Sequence, residues 1–143
     1  MRYLKAVDPS IEVIGCQPIN SCVMHESIKA GEILDIESLP TLSDGTAGGI
    51  EPGSITFDLC RRFVDDFILL EEDEIAEAMR FLHEGEGLIV EGAAALAAAA
   101  VLKEQERFAG RRVALIVSGG GVDESALAKV FAGEKDFGHE ETT

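Results

Sequence analysis

The sequence predicts an α/β fold, a partial three-layer sandwich built on a mainly parallel sheet. Three observations carry that reading. Short β-rich runs alternate with helical ones along the chain. Residues 113–117 (Val-Ala-Leu-Ile-Val) are continuously apolar, the pattern of a strand covered on both faces. Ser118-Gly-Gly-Gly follows at once and leads into helical sequence, as at the carboxyl edge of a parallel sheet. A chain of 143 residues is one ordinary domain at most. Residues 1–133 read as one folded unit and 134–143 as a polar tail.

The elements follow in order. A turn at Asp8-Pro-Ser precedes a strand over 11–15. Residues 22–29 read as a short helix stopped by Gly31, and 33–36 as a second short strand. Residues 40–54 are polar and glycine-rich with no period, a loop longer than a compact domain usually holds without a use for it. Residues 55–64 read as a helix and 66–70 as a strand. Residues 71–83 carry the clearest amphipathic stripe, Ile75, Met79 and Leu82 with Ala78 alongside, and Gly85 is placed to stop that helix. An alanine-rich helix over 91–106 would let another backbone approach closely. A last helix is expected over 123–131.

Composition narrows the function. Twelve Lys and Arg stand against 27 Asp and Glu, a net charge of −15. Such a chain is ill suited to nucleic acid, whose phosphates need cationic partners. It is equally ill suited to an anionic membrane surface. No apolar run is long enough to span a bilayer, and the start is too short in apolar length for a signal peptide. An apolar fraction of 46% and a mean hydropathy of +0.14 argue for a packed core. Cys16, Cys22 and Cys60 are odd in number and lack CxxC spacing, so reduced thiols in a cytoplasmic protein are expected.

Three places could carry chemistry. In the first, Ser118 to Gly121, a glycine turn exposes backbone N–H groups and Ser118 adds a hydroxyl; a plain tight turn is the alternative. In the second, Asp44 to Gly53, Gly45, Gly48 and Gly49 suit a backbone lying against a flat or anionic ligand; a surface loop is the alternative. The third is Glu91, at the start of the alanine-rich helix, where a carboxylate also serves simply as a dipole partner. The acidic cluster of Asp65, Asp66, Glu71, Glu72, Asp73 and Glu74 reads as a solvated face. His25 with Cys16 and Cys22 makes a weak metal signature. No nucleophile elbow, P-loop lysine or HExxH is present.

Several motifs occur in a telling order: Val13-Ile-Gly-Cys-Gln-Pro, Ser27-Ile-Lys-Ala-Gly, Thr41-Leu-Ser-Asp-Gly-Thr-Ala-Gly-Gly, Thr56-Phe, Glu71-Glu-Asp-Glu-Ile, Glu91-Gly-Ala and Val117-Ser-Gly-Gly. Over about residues 10 to 130 the chain resembles the C-terminal part of the serine/threonine dehydratases (threonine ammonia-lyases). These are pyridoxal-phosphate enzymes of the tryptophan synthase β fold type. The Thr-Ala-Gly-Gly-Ile-Glu-Pro-Gly form also resembles the hydroxyectoine-utilisation dehydratases. The resemblance implies removal of the β-hydroxyl of L-serine, L-threonine or a related hydroxy amino acid as water, giving a 2-oxo acid and ammonia. It implies that Ser118 hydrogen-bonds the pyridine nitrogen and Gly119 lets the ring approach. It places Asp44 and Gly45 along the cofactor and substrate side, with Glu91 near the ring's edge.

The resemblance also implies differences. The family's Schiff-base lysine, its substrate-carboxylate loop and its phosphate cradle belong to sequence upstream of the matching region. None of Lys5, Lys29, Lys103, Lys129 and Lys135 has that lysine's context. The chain is therefore expected to be a fragment, residues 1–133 being the C-terminal part of the large domain, inactive alone, with no catalytic or metal-binding residue assigned. Its first six residues resemble the end of the helix after the cradle. Relatives hold a cation at the positions of Gln17, Ser21 and Val23, and Val23 has no donor atom. The usual Ser-Gly-Gly-Asn is Ser118-Gly-Gly-Gly. A homo-oligomer is expected. The rival reading is a non-catalytic α/β binding or interaction module.

Overall fold

A computed structural model describes residues 1–121 and 124–133. Nine elements follow in order: α1 (Arg2–Val7), β1 (Ile14–Pro18), α2 (Val23–Ala30), α3 (Ile55–Phe63), β2 (Asp66–Leu70), α4 (Glu72–Glu86), α5 (Gly92–Lys103), α6 (Gln105–Phe108) and α7 (Glu124–Ala132). The α/β reading holds: β1 and β2 pair in parallel, Ile14 opposite Asp66 and Pro18 opposite Leu70.

β1 begins three residues later than expected, and side-chain chemistry explains its start. The Val13 N–H donates to Asp65 Oδ2 at 2.7 Å and the Asp65 N–H donates to the Val13 carbonyl at 2.9 Å. This pair sets the register. Pro18, without an N–H, closes the strand.

Residues 33–36 do not form a strand. Their backbone and its neighbours are held by side chains instead. The Leu34 N–H donates to Ser27 Oγ, Asn20 Nδ2 donates to the Pro40 carbonyl, and the Leu39 N–H donates to the Asn20 carbonyl. Residues 113–117 are also not a strand, against expectation. A strand exists only where a neighbouring backbone pairs with it. Among the described residues nothing pairs with this run, and Ile116 is 76% exposed.

The core forms where α4 and α5 pack together over the sheet. Ile68 and Leu70 of β2 meet Ile75, Ala78, Met79 and Leu82 of α4 and the alanines of α5. α5 has almost no polar face, which suits a helix covered on several sides. Five of its seven alanines are buried, so neighbouring elements come close. α7 closes the far side of α4, with Val130 buried and its carbonyl accepting from Arg80 Nη1 at 2.8 Å.

α4 ends at Gly87 rather than Gly85. Gly87 takes φ +68, its N–H donates to the His83 carbonyl, and the Leu88 N–H donates to the Leu82 carbonyl. That paired bonding is the glycine-capped helix end, and it falls on the second glycine because the chain turns two residues later. α5 is shorter than expected. Glu104 leaves helical geometry (φ −111°, ψ 45°) before α6 begins.

The acidic cluster is largely solvated, with Asp65, Asp66, Glu71 and Asp73 exposed, and several of its carboxylates are ion-paired. Asp65 pairs with Lys5, Asp66 with Arg107 at 2.8 Å, and Glu74 with Lys103 at 2.8 Å. Lys103 also donates to the Leu69 carbonyl. One ammonium therefore ties the end of α5 to β2 and to the first turn of α4. The tail expected over 134–143 lies outside the described residues. No helix among the described residues is long and apolar enough to cross a membrane.

Candidate functional site

The loop over 40–54 is built from inside by short hydroxyls. Thr41 and Ser43 are buried. The Ser43 N–H donates to Thr41 Oγ1, the Ser43 and Thr46 hydroxyls share a hydrogen bond, and the Gly48 N–H donates to Ser21 Oγ. Ser and Thr offer such local bonds in place of a ladder. They wind Asp44–Thr46 into a short 3₁₀ turn.

This turn lies against the start of α5. The Leu42 N–H donates to Glu72 Oε2 at 2.7 Å, from the first turn of α4. On its other side, Leu42 presses on Gly92. A Cβ placed on Gly92 would sit 2.2 Å from the Leu42 carbonyl oxygen. Only glycine lets these two backbones meet so closely.

Beside that contact, Glu91 is the N-cap of α5 and is half-buried. Its carboxylate reaches both glycine segments. A Cβ on Gly45 would lie 3.8 Å from Glu91 Oε1, and one on Gly121 3.8 Å from Oε2. One on Gly119 would fall 1.8 Å from Oε1. Gly119 also has φ +103, a conformation that L side chains rarely adopt. Glycine is thus required at 119 both by the backbone and by the neighbouring carboxylate.

The structure therefore gathers Gly45, Glu91 and Gly119, three of the five residues singled out from the sequence. The other two, Asp44 and Ser118, are the chain neighbours of Gly45 and Gly119, and both are exposed. The arrangement is an open wall of glycine backbone and two short polar side chains around one carboxylate.

Sequence reasoning missed Gly92 and Glu72, which set the wall's shape. The signal for Gly92 was there: one glycine opens a helix whose next eight residues are seven alanines and one leucine. Glu72 carried no signal, because its partner is a backbone N–H thirty residues away. Of the three positions weighed for a cation, Gln17 has an amide that is already engaged. Its Oε1 accepts from the His25 N–H at 2.8 Å and its Nε2 donates to the Ser21 carbonyl at 3.4 Å. Val23 is buried and its side chain has no donor atom. Those three residues do not fit a cation.

Three of the lysines lie beside carboxylates outside the wall. Lys5 pairs with Asp65, Lys29 lies 3.8 Å from Glu26, and Lys103 is held by Glu74. Lys103 stands at the opposite end of α5 from Glu91, about 18 Å along the helix axis.

Residues 1–119 match the family described as pyridoxal-phosphate dependent enzyme. The L-threonine ammonia-lyase of Thermotoga maritima is 37% identical over 127 residues, which cover 89% of this chain and 31% of that protein. The processed form of threonine deaminase isoform 2 from Solanum lycopersicum superposes with a TM-score of 0.81 at 26% identity, over 91% of this chain and 38% of that one. Maize serine racemase gives a TM-score of 0.76 at 29% identity, over 90% and 40%. The chain spans less than half the length of each of these relatives. With the match extending from α1 through Glu91 to Gly119, the chain belongs to the pyridoxal-phosphate dependent enzyme family.

Proposed function

We propose that this chain forms the cofactor-facing wall of a dehydratase acting on L-threonine, L-serine or a related hydroxy amino acid. The observation that carries the proposal is the Glu91 carboxylate lying between two glycine segments distant in sequence, Gly45 on one side and Gly119 and Gly121 on the other. A flat pyridine ring needs backbone that approaches without a Cβ, and these residues fit that need. The similar threonine ammonia-lyase, threonine deaminase and serine racemase support the substrate class.

In this reading the Ser118 hydroxyl makes one hydrogen bond to the ring nitrogen. A hydroxyl there, unlike a carboxylate, does not hold that nitrogen protonated. Gly119 keeps the backbone clear of the ring face. Asp44 and Gly45 line the opposite edge, and Glu91, fixed by the helix start, supports the pocket between them. When bound, pyridoxal phosphate supplies an electron sink for charge developing at the substrate Cα. By leaving the nitrogen unprotonated, Ser118 would keep that sink weak, which would favour departure of the β-hydroxyl as water. The products are a 2-oxo acid and ammonia. The covalent lysine is none of the five in this chain, so the chain alone does not catalyse the reaction.

The test is a pyridoxal-phosphate titration followed by absorbance, then borohydride reduction and mass analysis. The chain alone is expected to give no stoichiometric lysine adduct. The gene product that carries it is expected to release 2-oxo acid from L-threonine or L-serine, with kcat lowered by Ser118→Ala. A stoichiometric adduct at one lysine of this chain overturns the reading, as does a Ser118→Ala enzyme with unchanged kcat and spectrum.

A further inference from the structure

A second set of chemical groups lies on α2. Cys22 caps the helix, and His25 and Glu26 follow at i+3 and i+4. That spacing puts three side chains on one face of a single turn. One ligand atom from each, a thiol sulfur, an imidazole nitrogen and a carboxylate oxygen, all lie within 4.8 Å of one another. Ligands on a tetrahedral zinc ion at 2.0–2.3 Å from the metal are about 3.3–3.8 Å apart. Small rotamer changes therefore close the set around one ion.

A further distance fits a shared ion. His25 Nδ1 is shielded from water and lies 3.0 Å from Glu26 Oε1, its ion-pair partner when the imidazole is protonated, a spacing that also suits two ligands of one ion.

The imidazole is also held in place. Its ring centroid lies 5.6 Å from that of Phe67 on β2. The Phe67 ring has room because its strand partner is Gly15, where a Cβ would come within 2.5 Å of that ring. Gln17 Oε1, on β1, accepts the His25 N–H. Both strands therefore fix the first turn of α2, and a site built on rigid elements costs less to organise. The partner set differs from the one suggested by sequence proximity. Cys16 packs against the core, where burial pushes its thiol up to about 11, and Glu26 takes its place beside Cys22 and His25.

We propose that Cys22, His25 and Glu26 form a three-ligand site for a divalent zinc-class ion, with water completing the tetrahedron. One thiolate, one imidazole and one carboxylate suit a borderline metal rather than magnesium or calcium. On binding, the metal–sulfur bond forms as the Cys22 thiol releases its proton to solvent. The site is independent of the proposed dehydratase chemistry, since none of its residues belongs to the glycine wall.

Cobalt titration of the chain under anaerobic conditions tests the site. The expected result is one cobalt per chain, visible bands of a tetrahedral ion and a near-ultraviolet thiolate charge-transfer band, all displaced by zinc. Cys22→Ser should abolish the charge-transfer band. His25→Gln and Glu26→Gln should weaken binding at least about tenfold, with the far-ultraviolet circular dichroism of each variant unchanged. A wild-type chain that binds cobalt without a thiolate band overturns the proposal. So does a band lost in Cys60→Ser or Cys16→Ser. The wild-type and Cys60→Ser spectra decide the matter even where a helix variant fails to fold.

Discussion

Replacing Gly92 with alanine probes the contact that shapes the glycine wall. The new methyl group would lie 2.2 Å from the Leu42 carbonyl oxygen, 2.5 Å from its carbon and 3.0 Å from Leu42 Cβ. Ordinary contacts need about 3.5 Å, so the loop must retreat by roughly 1 Å. It is not free to do so. The Leu42 N–H is bound to Glu72, and Thr41 and Ser43 on either side are buried. Overpacking of this kind costs about 1–3 kcal/mol. A strained hydrogen bond to a carboxylate adds up to about 1 kcal/mol. Replacing glycine in the first helical turn offsets at most about 1 kcal/mol. The net expectation is a loss of about 2 kcal/mol, a fall in Tm of roughly 5 °C. Urea and thermal unfolding measure it. Gly49→Ala is the control: nothing lies within 4 Å of its Cβ and its φ is not positive, so it should change stability by less than about 0.5 kcal/mol. A Gly92→Ala chain as stable as wild type would refute the close approach of the loop to α5.

Three other outcomes are expected. Gly119→Ala, which adds a side chain at φ +103 and against Glu91, should weaken pyridoxal-phosphate binding by the gene product at least as much as Ser118→Ala, measured by fluorescence titration. Lys5 first, and then the Val13 N–H, hold the Asp65 carboxyl below its ordinary 3.8. A lowered folded-state value means that the charge stabilises above 3.8 and that its contribution disappears as pH falls through the folded value. Asp65→Asn should therefore destabilise the chain at pH 7 and converge on wild type in strong acid, as followed by urea unfolding at several pH values. The apolar run at 113–117, with Ile116 76% exposed, should drive self-association of the isolated chain. Ile116→Lys should shift it to monomer in light scattering, and a monomeric wild type would refute this.

How much could be read from the sequence varies from element to element. β2 was legible to the residue at 66–70, because a charged start and an apolar run define it locally. The stripe of Ile75, Ala78, Met79 and Leu82 was legible for the same reason, and all four are buried. Gly31 ends α2 as expected, with φ +83. The choice between Gly85 and Gly87 was not legible, since both suit a helix end and bonding to Leu82 and His83 decides between them. The ion pairs within the acidic cluster were not legible, because partners such as Lys5 and Arg107 lie 60 and 41 positions from Asp65 and Asp66.

The glycine wall divides in the same way. Its residue types and the order of its motifs are written along the chain, because turn chemistry and helix starts act over a few residues. That Gly45, Glu91 and Gly119 meet is a property of the folded chain alone, because it depends on how the 40–54 loop is anchored by Ser21, Glu72 and its own hydroxyls. The fate of residues 113–117 is equally non-local. Their composition favours a strand, but a strand requires a partner backbone, and pairing is settled in three dimensions.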